Sequence, residues 1–287
     1  MLLTNYNQFH GDLYGRGLEY AVEHTLALGF NSVEFLVGVP HTSKIIPDAE
    51  AAVKVKEYLD AYGLSVPCYS VGANLYAPDR AEEVWRAFMD HAEIAAALGA
   101  KFLHHTFYLV LNRPANAPSY DEFLKAVLEP AERIADYCAM QGMTCLYEPQ
   151  GIYVNGVEGL GRLLTEMRGR CRNVGVCGDV GNPLYADTDP RDIFDRFAAD
   201  VKHVHIKNYL CHDAPDVEGL KWSRTDGGKY LASVPLYEGE IDIAHCLRRL
   251  KEVGYDGAYA MEFAGNDELM IRSLDHFKAI YREVFGE

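Results

Sequence analysis

The sequence predicts an α/β protein, a single (β/α)8 TIM barrel domain that spans residues 1–287. Short apolar runs suited to buried parallel strands alternate with longer amphipathic segments, which is the pattern of a parallel sheet with helices outside it. A chain of 287 residues with 49% hydrophobic residues is long enough for one barrel, since about 250 residues is typical. No linker or low-complexity tract interrupts the alternation, so we place no domain boundary.

Eight strand and helix units follow one another along the chain. Each predicted strand is a short, mainly apolar run, and each is followed by a stretch with helical periodicity. The predicted strands are residues 2–5, 32–37, 64–71, 101–106, 144–148, 174–179, 201–207 and 258–263. Eight such units close a barrel.

Several helix boundaries can be assigned from the sequence. Ser119 and Glu122 form a capping box, in which both side chains satisfy backbone N–H groups that are otherwise unpaired. Glycines favour the ends of helices, and four of them follow predicted helices: Gly29, Gly99, Gly142 and Gly254.

One connection is much longer than the others. The segment between the seventh predicted strand and the helix that begins near residue 241 is far longer than a usual βα loop. Long loops of this kind are commonly lids or binding elements. We therefore predict that residues 210–240 form a lid.

Composition limits the partners of this chain. Its 27 basic and 42 acidic residues give a net charge of −15, which opposes binding to nucleic acid or to anionic membranes. The first residues lack the basic start and the apolar stretch typical of a secretory signal peptide, and no run approaches the roughly 18 apolar residues of a membrane span. Seven scattered cysteines indicate buried, reduced thiols. We expect a cytoplasmic protein that binds a small molecule, and the sequence leaves open a homo-oligomer or a partner subunit.

Charged residues fall at the ends of four successive predicted strands. Glu148 ends the fifth strand, Asp179 the sixth and Glu262 the eighth, while His205 lies in the seventh. Because the carboxyl ends of barrel strands meet on one face, these side chains should share one rim. Three carboxylates gathered there would repel one another unless a cation neutralised them. The pattern therefore predicts a metal site.

The predicted ligand set indicates the kind of metal. Three carboxylates and one imidazole suit a hard or borderline cation better than the thiolate or three-imidazole sets that zinc favours. We expect Mn²⁺, with Mg²⁺ and Co²⁺ as alternatives.

The sequence also resembles the xylose-isomerase-like barrels, which include ketose 3-epimerases, hydroxypyruvate isomerase, inosose-processing enzymes and apurinic endonucleases. The resemblance spans nearly the whole chain. It is carried by residues 29–34 (GFNSVE), 98–101 (LGAK), 147–149 (YEP), 178–182 (GDVGN), 201–207 (VKHVHIK), 239–242 (GEID) and 254–257 (GYDG), and by Glu262. It implies the same four metal ligands, Glu148, Asp179, His205 and Glu262. It also implies that Glu148 and Glu262 are catalytic and move protons on the two faces of a bound sugar.

Five further residues are candidates for substrate binding, each with a structural alternative. Asn182 can donate to a substrate hydroxyl or cap a turn. Lys207 can polarise a substrate oxygen or balance the charge of a ligand carboxylate. Only one of His104 and His105 can point into the barrel, because strand side chains alternate. Glu34 can hold a sugar hydroxyl or brace neighbouring Lys and Arg side chains.

Three positions depart from the family pattern. Asn182 replaces a histidine found in many members, Val154 replaces an acidic residue, and Cys211 replaces an arginine. These departures argue against ketose 3-epimerisation in its familiar form. Proton abstraction next to a carbonyl is retained, because it needs only the metal and the carboxylates.

The leading hypothesis is a metal-dependent isomerase or epimerase of a sugar or polyol-derived ketone that acts through a metal-stabilised enediolate. A lyase with the same site is the alternative, either dehydrating an inosose or cleaving a 3-keto C-glycoside. An apurinic endonuclease would need more ligand histidines and a basic surface. A non-catalytic sugar-binding barrel also remains, because a fold does not establish activity.

Overall fold

The computed structural model describes residues 1–38, 45–111 and 113–286, with only the backbone of Pro78. Strands and helices alternate along this part of the chain. The strands are β1 (Leu2–Asn5), β2 (Ser32–Val33), β3 (Phe35–Gly38), β4 (Cys68–Gly72), β5 (Phe102–His105), β6 (Thr144–Tyr147), β7 (Val174–Asp179), β8 (Val201–Ile206), β9 (Asn208–His212), β10 (Trp222–Arg224), β11 (Tyr230–Val234) and β12 (Ala258–Met261).

Ten α-helices accompany these strands in the described residues. They are α1 (Asn7–Arg16), α2 (Leu18–Ala27), α3 (Ala49–Ala61), α4 (Ala81–Ala97), α5 (Tyr120–Met140), α6 (Gly151–Val154), α7 (Val157–Arg168), α8 (Pro190–Phe197), α9 (Ile243–Glu252) and α10 (Asp267–Phe285). Among the same residues, no helix has both the length and the apolar character needed to cross a bilayer.

The parallel strands form one closed barrel. Their order is β2-β1-β12-β8-β7-β6-β5-β4-β3, so the two ends of the sheet are consecutive segments separated only by Glu34. Ser32 bridges Ser65 in parallel, and the N–H of Val33 donates to the carbonyl of Ser65 at 2.9 Å. The second barrel strand thus joins both neighbours, which confirms the predicted single (β/α)8 barrel.

Two predicted strands differ from the structure in their bounds. The strand predicted at 32–37 is divided at Glu34, and the strand predicted at 64–71 becomes regular only from Cys68. Pro67 precedes Cys68 and has no N–H to give to a strand ladder. The other six overlap their predicted positions closely.

The predicted helix boundaries are confirmed. Ser119 Oγ accepts from the N–H of Glu122 at 3.3 Å, and the Glu122 carboxylate accepts from the N–H of Ser119 at 2.8 Å. The glycines that end helices have positive φ, a conformation that glycine adopts without a steric cost. Their values are 85° at Gly29, 82° at Gly99, 77° at Gly142 and 71° at Gly254.

Most of the core lies between the barrel and its helices, where Phe9, Phe123 and Phe277 are fully buried. The predicted lid segment contains a small antiparallel sheet of order β10-β11-β9. Leu231 of β11 is buried against Tyr209 of β9, so part of this segment is firmly packed. Its role as a lid stays a prediction.

Candidate metal centre

Four side chains converge at the carboxyl end of adjacent strands. Asp179 ends β7 and pairs with His205 of β8, Glu148 directly follows β6, and Glu262 directly follows β12. One ligand atom from each of the four residues lies within 4.8 Å of all the others. The strand ends therefore bring together the four residues that the sequence singles out.

His205 presents its Nδ1 atom to all three carboxylates. The distances from Nδ1 are 2.7 Å to Glu148 Oε1, 3.5 Å to Glu262 Oε2 and 4.0 Å to Asp179 Oδ2. Within the described residues, the buried oxygens Asp179 Oδ2 and Glu262 Oε2 share a single ammonium group, that of Lys207. Because buried charges need partners, these oxygens and the imidazole nitrogen fit a divalent cation.

A tight turn after β7 orients Asp179. Its Oδ1 atom accepts from the N–H groups of Gly181 at 2.7 Å and Asn182 at 2.6 Å, which directs Oδ2 toward the other ligands. Residue 181 must be glycine in this turn. A Cβ atom there would lie 2.5 Å from Cγ of Lys207 and 2.6 Å from Cε2 of Tyr209.

Lys207 is a buried cation beside the ligand carboxylates. Its Nζ atom lies 2.6 Å from Glu262 Oε2 and 2.9 Å from Asp179 Oδ2, and it donates to Asn182 Oδ1 at 2.9 Å. Burial alone would lower the pKa of Lys207, but the charges of Asp179 and Glu262 outweigh burial and raise this pKa well above its ordinary value. Lys207 thus balances ligand charge here, while its contact with a substrate oxygen stays a prediction.

The carboxylates of the cluster differ in their electrostatics. Burial raises the pKa of Asp179 well above its ordinary value; the charge of Lys207 opposes this rise, and the charges of Glu148 and Glu262 add to it. Burial would also raise the pKa of Glu148, but His104 and His205 hold that pKa well below its ordinary value. Glu148 is therefore a carboxylate able to accept a proton, and Asp179 is the carboxylate that most needs a cation.

A second polar layer lies deeper in the barrel. Glu34 contacts Nε2 of His203 at 2.7 Å and Nε2 of His205 at 3.2 Å, and it accepts from Ser70 Oγ at 2.5 Å. Ser70 Oγ also lies 2.8 Å from His104 Nδ1. The described contacts of Glu34 are thus with imidazoles and a hydroxyl.

The two histidines of β5 point to opposite faces. His104 Nε2 lies 3.3 Å from Glu148 Oε2, so His104 belongs to the cluster. The ring of His105 packs against Phe107 at 5.0 Å and Tyr147 at 5.2 Å. Burial among these rings lowers the pKa of His105 to about 3, and the structure does not bring its side chain to the ligand set.

Sequence reasoning missed three side chains that lie around the four-residue cluster. The Tyr6 ring stacks on His205 with centroids 4.8 Å apart and planes at 26°. Ser70 contacts both Glu34 and His104, and His203 contacts Glu34. Ser70 and His203 could have been identified from the sequence, because each is a polar residue at an inward-facing position of an otherwise apolar strand.

Known proteins resemble this chain in both sequence and fold. A family model described as xylose isomerase-like TIM barrel matches residues 22–280. Inosose dehydratase from Lacticaseibacillus casei is 25% identical over 254 residues, which cover 85% of this chain and 81% of that protein.

Two solved structures extend the comparison of folds. The IOLI protein, solved with a zinc atom, has a TM-score of 0.75 at 17% identity and covers 100% of both chains. A D-tagatose 3-epimerase-like protein has a TM-score of 0.73 at 17% identity and covers 100% of this chain and 99% of its own. Both likenesses show a shared barrel fold.

Proposed function

We propose that this chain, which belongs to the xylose isomerase-like TIM barrel family, is a metal-dependent enzyme that removes the proton next to the carbonyl of a sugar or polyol-derived ketone. Isomerisation or epimerisation is the outcome we favour. The observation that carries this proposal is the cluster of three carboxylates and one imidazole within 4.8 Å at the barrel mouth. The family supports a sugar-processing enzyme.

The residues that would hold the metal are Glu148, Asp179, His205 through Nδ1, and Glu262. Their oxygen-rich donor set favours Mn²⁺, with Mg²⁺ and Co²⁺ as alternatives. When bound, the cation supplies positive charge that stabilises the negative charge developing on the carbonyl oxygen.

Glu148 and Glu262 are suited to move the proton. Glu148 is held as a carboxylate by His104 and His205, so it can accept the proton from the carbon next to the carbonyl. Glu262 follows β12, and β7 and β8 separate β12 from β6. The two carboxylates therefore reach the mouth from different sides, and a proton returned from the second side inverts the carbon.

Other residues would bind and orient the substrate. The Asn182 side chain is 3% exposed, and its Nδ2 donor has no partner within the described residues. Because a buried donor without a partner is costly, we assign this amide to a substrate hydroxyl. Lys207 lies beside Asp179 and His104 beside Glu148, so both line the same cluster.

Deuterium exchange tests the proposed reaction. The Mn²⁺-loaded protein is incubated in D₂O with ketoses, inososes and 3-keto glycosides, and the ligands are analysed by NMR. We expect deuterium at a single carbon next to the carbonyl of one ligand class. Glu148→Gln should abolish the exchange, whereas Glu166→Gln, a charge-matched change on the exposed surface of α7, should not. Absence of deuterium from every tested compound would contradict the proposed function.

Dehydration is the second candidate. The curated relative named inosose dehydratase favours a reaction that begins with the same proton abstraction and then expels a hydroxyl group β to the carbanion. Product analysis separates the two outcomes. An epimer or isomer retains the mass of the substrate, whereas dehydration forms an unsaturated ketone and water, and cleavage of a C-glycoside releases its aglycone.

A further inference from the structure

Glu34 is a buried carboxylate with two imidazole partners. It lies between β2 and β3, its exposure is 0%, and its Oε2 atom lies 2.7 Å from Nε2 of His203. Its Oε1 atom faces Nε2 of His205 at 3.2 Å and accepts from Ser70 Oγ at 2.5 Å. Contacts on both oxygens fix the rotation of the carboxylate.

The two nitrogens of His205 face different groups. Nδ1 faces Glu148 at 2.7 Å, within the proposed metal-binding cluster, and Nε2 faces Glu34. A neutral imidazole carries one N–H, and a nitrogen that binds a metal must offer its lone pair. If Nδ1 is the ligand atom, the proton lies on Nε2 and is donated to Glu34.

We propose that Glu34 is a positioning residue, which holds His205 in the Nε2–H tautomer and aims the Nδ1 lone pair at the metal. This inference rests on the metal site of the proposed function. A carboxylate that accepts the second N–H of a ligand histidine orients the ring and makes its nitrogen a better donor. Tyr6, stacked on the His205 ring at 4.8 Å, restricts the ring from its face.

The cost of burying Glu34 supports a functional role. A carboxylate deep in a barrel is costly unless several donors satisfy it, and an apolar residue of similar size often serves stability as well or better. Barrel interiors are ordinarily filled by branched apolar side chains. Here Ser70, His203 and His205 all turn toward Glu34, at positions where such apolar residues would stabilise the barrel.

The test compares substitutions at two fully buried positions. Glu34→Gln removes the charge that His205 meets and keeps the length of the side chain. His203→Asn is the matched control, since His203 is equally buried, at 0% exposure, and contacts the same carboxylate without belonging to the ligand set. Calorimetry with Mn²⁺ gives metal affinity, Co²⁺ absorption reports ligand geometry, and thermal unfolding of the metal-free proteins checks folding.

We expect Glu34→Gln to weaken Mn²⁺ binding about 10- to 100-fold and to alter the Co²⁺ spectrum, as for other partners of metal-bound histidines. His203→Asn should keep an affinity within about threefold of the unsubstituted protein, since His203 meets the His205 ring only edge-on at 5.3 Å, whereas Ser70 and His205 still hold Glu34 in place. Equal binding and identical spectra in Glu34→Gln, or an equal loss in His203→Asn, would overturn the inference. A parent protein that binds no divalent metal would overturn the proposed function and, with it, this inference.

A measurement on the unsubstituted protein covers the case in which Glu34→Gln does not fold. Nitrogen-15 NMR of the histidine rings with bound Mg²⁺ reports which ring nitrogen carries the proton. We expect His205 to carry it on Nε2. A proton on Nδ1 of His205 would contradict the inference even if metal binds.

Discussion

Removing the Lys207 charge should destabilise the metal-free protein strongly. Lys207 is 3% exposed, and its Nζ atom lies 2.9 Å from Asp179 and 2.6 Å from Glu262. Lys207→Met keeps the apolar stem and leaves both carboxylates without their cation. Breaking a buried ion pair costs about 3–5 kcal/mol. Because the Glu262 side chain is 19% exposed, we expect the lower end, a loss of about 3 kcal/mol in the free energy of unfolding.

Added metal should reverse part of this loss. A cation that binds only the folded state stabilises it by about 2.7 kcal/mol when its concentration is 100 times Kd. In Lys207→Met the incoming cation meets no ammonium group at Asp179 and Glu262, so the gain should exceed that of the unsubstituted protein. Urea unfolding, followed by circular dichroism with EDTA or with Mn²⁺, measures both quantities.

Lys202 provides the matched control for this experiment. It is exposed on the same strand, β8, and Lys202→Met should change the free energy of unfolding by less than about 0.5 kcal/mol. The reasoning is refuted if Lys207→Met costs no more than Lys202→Met. It is also refuted if Mn²⁺ stabilises Lys207→Met and the unsubstituted protein equally.

Three further predictions concern catalysis, the lid and acid stability. Glu262→Gln should weaken Mn²⁺ binding about tenfold or more and abolish turnover. Normal turnover in this variant would show that Glu262 takes no part in the mechanism. Residues 214–220 lie between β9 and β10 and can be replaced with a short Gly-Ser linker. This change should lower kcat/KM and leave the unfolding temperature unchanged. A lowered unfolding temperature would show that the segment has a structural role. The pKa of His105 is lowered to about 3 in the folded protein, whereas an unfolded histidine has a pKa of about 6.5. As the pH falls below 6.5, only the unfolded state binds a proton at His105, so the free energy of unfolding decreases by about 1.4 kcal/mol per pH unit. His105→Phe should flatten that slope between pH 6 and pH 4 in urea unfolding, and equal slopes would contradict this account.

The barrel and the four clustered side chains could be predicted because each rests on local sequence. Apolar runs mark buried strands whatever their partners, and charged residues directly after such runs reach the same face. Glu148, Asp179 and Glu262 all directly follow or end a strand. Residues at strand ends are therefore assigned without knowledge of the strand register.

The inner layer could not be predicted, because it depends on register around the whole barrel. Glu34 and His203 are 169 residues apart in the sequence, and only closure of the sheet brings them together. The small sheet of the 210–240 segment was missed for a different reason. Its strands are three to five residues long, and β10 is mostly polar, so alternation gives little signal.

Metal content tests the central claim most directly. The protein is loaded with Mn²⁺, separated from free metal by gel filtration and analysed by mass spectrometry, beside Asp179→Ala and the surface variant Glu166→Gln. We expect a single ion per chain in the unsubstituted protein and in Glu166→Gln, and none in Asp179→Ala. Absence of metal from the unsubstituted protein, or full retention in Asp179→Ala, would contradict the assignment of this cluster as the metal centre.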